Sequence, residues 1–202
     1  KSIPIGLPYD KGYIYILPES SRHLLEVLVS MYPNGVYEPF VNANDPRHTY
    51  YFAYRVPRED YLRTFELYGK IGFSAVYYAG KDWEGDPVVR RVDPLIMFAW
   101  HIAPVHGVFS AEWKGKLKAP ENGRYYFRTE SNEFSEIYIN EKLVYREKNG
   151  VEGNGFMDLE KGEHSIKVRY YNSRTHAGIK LMWRKPSDAS FGILMPKYVR
   201  PE

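Results

Sequence analysis

The stretch Phe109-Ser110-Ala111-Glu112-Trp113-Lys114-Gly115-Lys116-Leu117-Lys118-Ala119, followed by the turn Pro120-Glu121-Asn122-Gly123, decides the fold. Phe109, Ala111, Trp113, Gly115, Leu117 and Ala119 fall on one side of a period-two pattern. Ser110, Glu112, Lys114, Lys116 and Lys118 fall on the other. Successive strand side chains point to opposite faces, so the pattern predicts one long strand with a core face and a wet face. Tyr125 and Phe127 resume the inward face after the turn, and Tyr126 points outward. Ile166, Val168 and Tyr170 alternate with Lys167, Arg169 and Tyr171. Ile179, Leu181 and Trp183 alternate with Lys180, Met182 and Arg184. Strands of this kind, separated by turn residues, predict an antiparallel β-sandwich. An aromatic share of 16%, with 16 Gly and 14 Pro, favours the same reading over a helix bundle.

Upstream the grammar changes. Tyr13 to Leu17 is a short apolar run bounded by Gly12 and Pro18, a candidate strand. Ser20 or Ser21 is placed to cap a helix that runs to about Tyr32, with Arg22, Glu26 and Ser30 as a narrow polar stripe. Gly35 to Val41 and His48 to Val56 read as two strands joined by a turn over residues 42–46. A second helix opens at Pro57, has Glu59 and Asp60 in its first turn, and closes at Gly69. The expected class is therefore α+β: a small βαββα subdomain over residues 1–69 and a β-sandwich over residues 70–202.

Several function classes are excluded on composition. Cysteine is absent, which removes disulfides, zinc–thiolate sites and thiol nucleophiles. Twenty-eight Lys and Arg against 25 Asp and Glu form no block long enough to bind nucleic acid. The longest uncharged run, Pro94 to Ala111, is broken by two prolines, two histidines and a glycine, so it reads as strand and loop rather than a membrane span. The chain starts at Lys1, which suggests a piece of something longer. Any membrane attachment is expected only through a tethered upstream part. None of the six histidines has metal-ligand spacing, and no Gly-x-Ser-x-Gly elbow occurs. Gly150-x-x-Gly153-x-Gly155 lacks the following helix of a phosphate loop and reads as a flexible loop. The acidic pairs Asp82/Glu84 and Glu133/Glu136 carry no spacing that singles out a glycosidase.

Residues 70–202 resemble the PA14 domain. The resemblance rests on Tyr77-Tyr78, on Trp113, Gly115, Leu117, Ala119, Pro120, Gly123, Tyr125 and Phe127 in that order, and on Leu159, Gly162, His164, Ile166, Val168 and Tyr170. It implies a non-catalytic β-sandwich outside the cytoplasm that binds or orients a glycan or glycolipid; the alternative is a purely structural or protein-docking module without ligand, and a glycan hydrolase ranks last. Lectin-like members carry an Asp pair that holds calcium, and the matching positions here are Asn132 and Glu133. The hairpin Asp-Gly of those members is Asn140-Glu141 here. One ligand charge is lost, so no cofactor is expected beyond weak calcium. With its Pro-bounded strand, Met31-Tyr32-Pro33-Asn34-Gly35 and the strand Tyr50 to Pro57, the first half is similar to the soluble segment that follows the membrane spans of some prokaryotic glycosyltransferases, which implies such an enzyme as the parent.

The expected sugar site lies near Asn132 and Glu133, with Trp83 and Tyr145 as stacking platforms and the Gly150–Gly155 loop as a rim. Trp83 stands in a polar stretch, Lys81-Asp82-Trp83-Glu84-Gly85, where periodicity does not demand burial. The alternation puts Tyr145, Tyr126 and Tyr171 outside. Sugar rings present C–H faces that stack on aromatics, while carboxylates and amides serve their hydroxyls. The opposing expectation is that these rings pack against the first half of the chain, which needs a shared interface.

Overall fold

The computed structural model describes residues 7–9, 12–42, 44–67, 69–100, 103–148, 155–173 and 177–202. The chain divides into two compact units, Ile3–Tyr68 and Gly69–Glu202. No helix among the described residues is long and apolar enough to cross a membrane. His101, His176 and residues 150–153 of the glycine loop lie outside the described residues.

The first unit is an antiparallel sheet with two helices. Its strands are β1 (Leu7–Tyr9), β2 (Gly12–Pro18), β3 (Val36–Asn42) and β4 (Asp45–Pro57), in the order β1-β2-β4-β3. Helix α1 spans His23–Met31 and α2 spans Arg58–Leu67. Tyr15, Leu17, Phe52, Tyr54 and Val56 are buried, as are Leu24, Val27 and Leu28 of α1. The serine cap expected for α1 is not made. A 3-10 turn over Glu19–Ser21 leads in, and the backbone N–H of Arg22 bonds to the Glu19 carbonyl instead. The strand β1 is an addition to the expected pattern. Asp60, in the first turn of α2, is buried and accepts from the backbone and side chain of Asn34, at 2.9 and 2.8 Å.

The second unit is a β-sandwich. Its strands are β5 (Phe73–Ala79), β6 (Val89–Asp93), β7 (Met97–Trp100), β8 (Phe109–Ala119), β9 (Gly123–Ser131), β10 (Phe134–Ile139), β11 (Lys142–Lys148), β12 (Gly155–Leu159), β13 (Gly162–Asn172), β14 (Ala177–Arg184), β15 (Gly192–Ile193) and β16 (Val199–Pro201). One sheet runs β11-β10-β13-β8-β5-β6, with β16 also paired to β8. The other runs β12-β9-β14-β15, with β7 also paired to β14. The inward alternation holds: Trp113, Leu117, Tyr125, Phe127, Val168 and Tyr170 are all fully buried. Gly115 has no side chain because β16 lies beside it. A Cβ there would meet Val199 Cγ1 at 2.7 Å and the Arg200 carbonyl at 3.0 Å.

The core also holds a carboxylate. Asp93, 4% exposed, accepts from Trp113 Nε1 at 2.8 Å, from the Tyr77 hydroxyl at 2.5 Å and from Arg91 Nε at 2.7 Å. Buried charge is tolerated only when its lone pairs are satisfied, and Asp93 meets that condition. Burial, then the adjacent Asp93, pushes the Tyr77 hydroxyl well above the ordinary tyrosine range.

Part of the expected wet face of β8 is not wet. Ser110 is fully buried and Glu112 is 8% exposed. The loop after β5 folds over them. Trp83 donates its backbone N–H to Ser110 Oγ at 3.2 Å and its Nε1–H to the Ala111 carbonyl at 3.0 Å. Lys114 and Lys118, further along the same face, are exposed as expected.

Candidate functional site

The loop Asn132–Glu133 joins β9 to β10 at one end of the sandwich. Inward-facing positions near the ends of β9, β10 and β11 are polar here: Thr129, Ser131, Ser135 and Glu147. Strand alternation brings them together. Glu147 Oε2 accepts from Thr129 Oγ1 at 3.1 Å and Ser131 Oγ at 3.0 Å. Thr129 and Ser135 hydroxyls share a further bond of 2.5 Å. Glu147 is 4% exposed, and none of the ion pairs among the described residues includes it.

This carboxylate opens onto a cleft of about 430 Å³ lined also by Phe98, Glu130, Ser131, Asn132 and Lys180. Lys180 Nζ sits 3.2 Å from Glu130 Oε2 across the β14–β9 pair. Gly178 shapes one wall. The Asn132 backbone donates to the Gly178 carbonyl at 3.2 Å, and a Cβ on Gly178 would meet Asn132 Oδ1 at 2.7 Å. The lining thus combines carboxylate acceptors, ammonium and amide donors, and one half-buried ring, the set that a polyhydroxylated ligand needs.

The four residues expected at a sugar site separate. Asn132 is exposed and lines the cleft. Glu133 is buried, and its two oxygens accept from the backbone and hydroxyl of Ser173 at 2.6 and 2.7 Å. It ties the loop to the end of β13. Tyr145 is corrected outright: it is 3% exposed, lies in the core and donates to the Thr129 carbonyl at 3.1 Å. A bulge causes this. Ile137 pairs with Tyr145 and Tyr138 with Leu143, so Val144 is an extra residue that flips the alternation of β11. The same flip turns Glu147 inward. Trp83 belongs to a separate cluster on the outer face of the other sheet, 5.8 Å from Phe134 and 6.0 Å from Tyr171. Tyr126 and Tyr171 keep their outward direction.

Sequence reading missed Glu147, Glu130, Lys180 and Phe98. The signal for Glu147 was a run of small hydroxyl residues at inward positions of β9 and β10, where apolar residues belong. The residues do not fit a calcium centre. Both Glu133 oxygens are already bonded to Ser173, and no group of three or more His, Asp or Glu among the described residues is arranged to hold a metal.

The two antiparallel sheets, with a polar cleft at the loop end, define a β-sandwich domain. Residues 69–194 match the PA14 domain, and the chain belongs to that family. An anti-sigma-I factor from Acetivibrio thermocellus, RsgI3, is 33% identical over 122 residues, covering 55% of this chain and 19% of that protein. A solved anti-sigma factor domain-containing protein is 28% identical with a TM-score of 0.60, covering 66% of this chain and 50% of that one. The epithelial adhesin 6 A domain from Candida glabrata, solved with Galβ1-3GlcNAc, has a TM-score of 0.53 at 12% identity, covering 66% and 88%. That likeness is one of fold. The chain spans about a fifth of the curated relative and half of the solved anti-sigma chain that it matches.

Proposed function

We propose that this chain is a non-catalytic, extracytoplasmic glycan-binding module and that the cleft beside Asn132 receives the sugar. The observation that carries the reading is the buried Glu147 carboxylate, bonded among the described residues by hydroxyls alone and opening onto that cleft. A carboxylate so placed accepts from sugar hydroxyls as it accepts from Thr129 and Ser131, while Lys180 and Asn132 donate. Membership of the PA14 family and the fold shared with an adhesin domain that holds a disaccharide support it.

A second reading concerns the parent protein. The relative at 33% identity is named an anti-sigma-I factor, which favours a regulatory protein whose glycan-binding part senses the ligand. The glycosyltransferase parent rests on residues of the first half alone.

The test is calorimetric titration of the full chain with neutral di- and oligosaccharides, with and without calcium. Asn132→Ala and Glu147→Gln should each weaken binding by about 1–2 kcal/mol, the loss of one hydrogen bond to a charged or amide group. Calcium should change nothing below roughly millimolar concentration. Unchanged binding in both variants would sink the cleft assignment.

A further inference from the structure

The outer face of the five-stranded sheet carries a cation that the cleft does not use. Phe156 on β12, Tyr126 on β9 and Arg184 on β14 are register partners and form one row across three strands. The Arg184 guanidinium lies 4.0 Å from the Tyr126 ring centroid and 5.9 Å from that of Phe191. In the next row Arg128 pairs with Met182 and lies 4.5 Å over Phe191. The other cations of this face have acids to answer them. Arg124 holds Asp158 through two bonds of 2.9 and 3.0 Å, and Glu130 takes Lys180 at 3.2 Å and Arg128 at 3.5 Å. Arg184 has no ion pair and no hydrogen bond among the described residues. Its Nε and that of Arg128 are shielded from solvent without an acceptor. Arg124, Arg128, Lys180 and Arg184 outnumber Asp158 and Glu130, so the face is positive.

With Arg184 Nε shielded, the two terminal nitrogens of the guanidinium are the fork left for a carboxylate. Across Tyr126 from it, Phe156 is 51% exposed, with the Arg124 guanidinium 4.3 Å from its ring centroid. Together they match a ligand that carries a carboxylate about 10 Å, two strand spacings, from a C–H face. We propose that this face binds an acidic glycan, with a uronate carboxylate on Arg184 and a sugar ring further along the same chain on Phe156. Glu130 and Lys180 lie at the border of this face and the cleft. The face stands on its own residues, however, and does not require the cleft to bind.

The probes are a uronic-acid oligosaccharide, a neutral oligosaccharide of the same linkage and length, and polyphosphate, each titrated into the full chain at low and high salt. The uronate oligomer should bind more tightly than the neutral one, and more weakly as salt rises. Arg184→Gln should lower uronate affinity by about tenfold or more, and Arg184→Lys by less, because lysine keeps the charge and loses the fork. Phe156→Ala should weaken uronate binding severalfold, while Asn132→Ala and Glu147→Gln leave it within about twofold. Those two variants acting on the neutral sugar alone would uphold the cleft; Arg184→Gln acting on uronate alone would uphold the face. Melting curves check folding, and Phe156→Ala carries the test if Arg184→Gln unfolds. Equal affinity for neutral and uronate sugars, unchanged binding by Arg184→Gln and Phe156→Ala, or polyphosphate binding as tight as uronate would overturn the proposal.

Discussion

The two outer faces of the sandwich use their charges differently. On the seven-stranded sheet, register places Arg146, Glu136, Arg169 and Glu112 in one row across β11, β10, β13 and β8. Signs alternate along it, with Arg146–Glu136 at 2.6 Å and Arg169–Glu112 at 2.7 Å. Arg169 also lies 5.2 Å over Trp83, whose loop covers the row's end. On the five-stranded sheet, the row through Phe156, Tyr126 and Arg184 holds no acid at all. The first face satisfies itself and contributes to stability. The second leaves a half-buried cation without an acid and a ring exposed. A charged residue on a sheet face is therefore informative only with its row: Arg169 and Arg184 look alike in the sequence and have opposite meanings.

The largest effect that bears on this contrast lies between the faces. Trp113→Ala should cost about 3–5 kcal/mol, since a fully buried indole and its bond to Asp93 are lost together. Chemical denaturation gives the number, and a loss below 1 kcal/mol would mean that the sheets do not share the core described. On the covered face, Trp83→Ala should cost about 2 kcal/mol, roughly half the core value for a half-buried ring. It should leave sugar binding unchanged. Trp83 has a φ of 55°, a left-handed backbone that a bulky residue rarely adopts, so its packing must hold it there. Weakened glycan binding with unchanged stability would return Trp83 to the role of a stacking platform.

What the sequence made legible follows the same division. The strand β8 could be read because core aromatics reinforce a period of two over its whole length. The outward positions Tyr126 and Tyr171 followed for the same reason. Tyr145 could not be placed, because the single extra residue Val144 reverses β11 and nothing local announces it. Glu112 could not be known to be buried, because its cover comes from a loop some thirty residues upstream in the chain. The cleft was half legible. Asn132 is a loop residue that any alignment of motifs brings forward, whereas the hydroxyls around Glu147 come from three strands that only the fold brings together.

The paired face should also register in acid. Burial pushes the Glu112 carboxyl up, but hydrogen bonds from Lys114 and Arg169 outweigh it and hold it below the ordinary value of 4.5. A carboxylate with a depressed folded pKa stabilises the protein above its unfolded pKa and loses that contribution as pH falls through the folded one. Glu112→Gln should therefore cost about 1.5 kcal/mol at neutral pH, the scale of hydrogen bonds to a charged group. The gap from the parent protein should close as pH falls below 4.5. Denaturation series from neutral to acid pH measure it, and a gap independent of pH would show that Glu112 packs rather than pairs.

The smallest effect is the most diagnostic. Arg184→Gln breaks no ion pair and no hydrogen bond among the described residues; it removes only stacking on Tyr126 and Phe191. A cation over an aromatic ring at an accessible site contributes about 0.5–1 kcal/mol, and that is the loss expected in stability. Arg169→Gln, on the other face, should cost more, because it leaves the mostly buried Glu112 short of one partner and uncovers Trp83. Denaturation of the two variants side by side decides the matter. Equal losses would mean that Arg184 has a structural partner and that the two faces are alike. A smaller loss for Arg184 leaves its charge without a structural use, which is what a surface kept for a ligand requires.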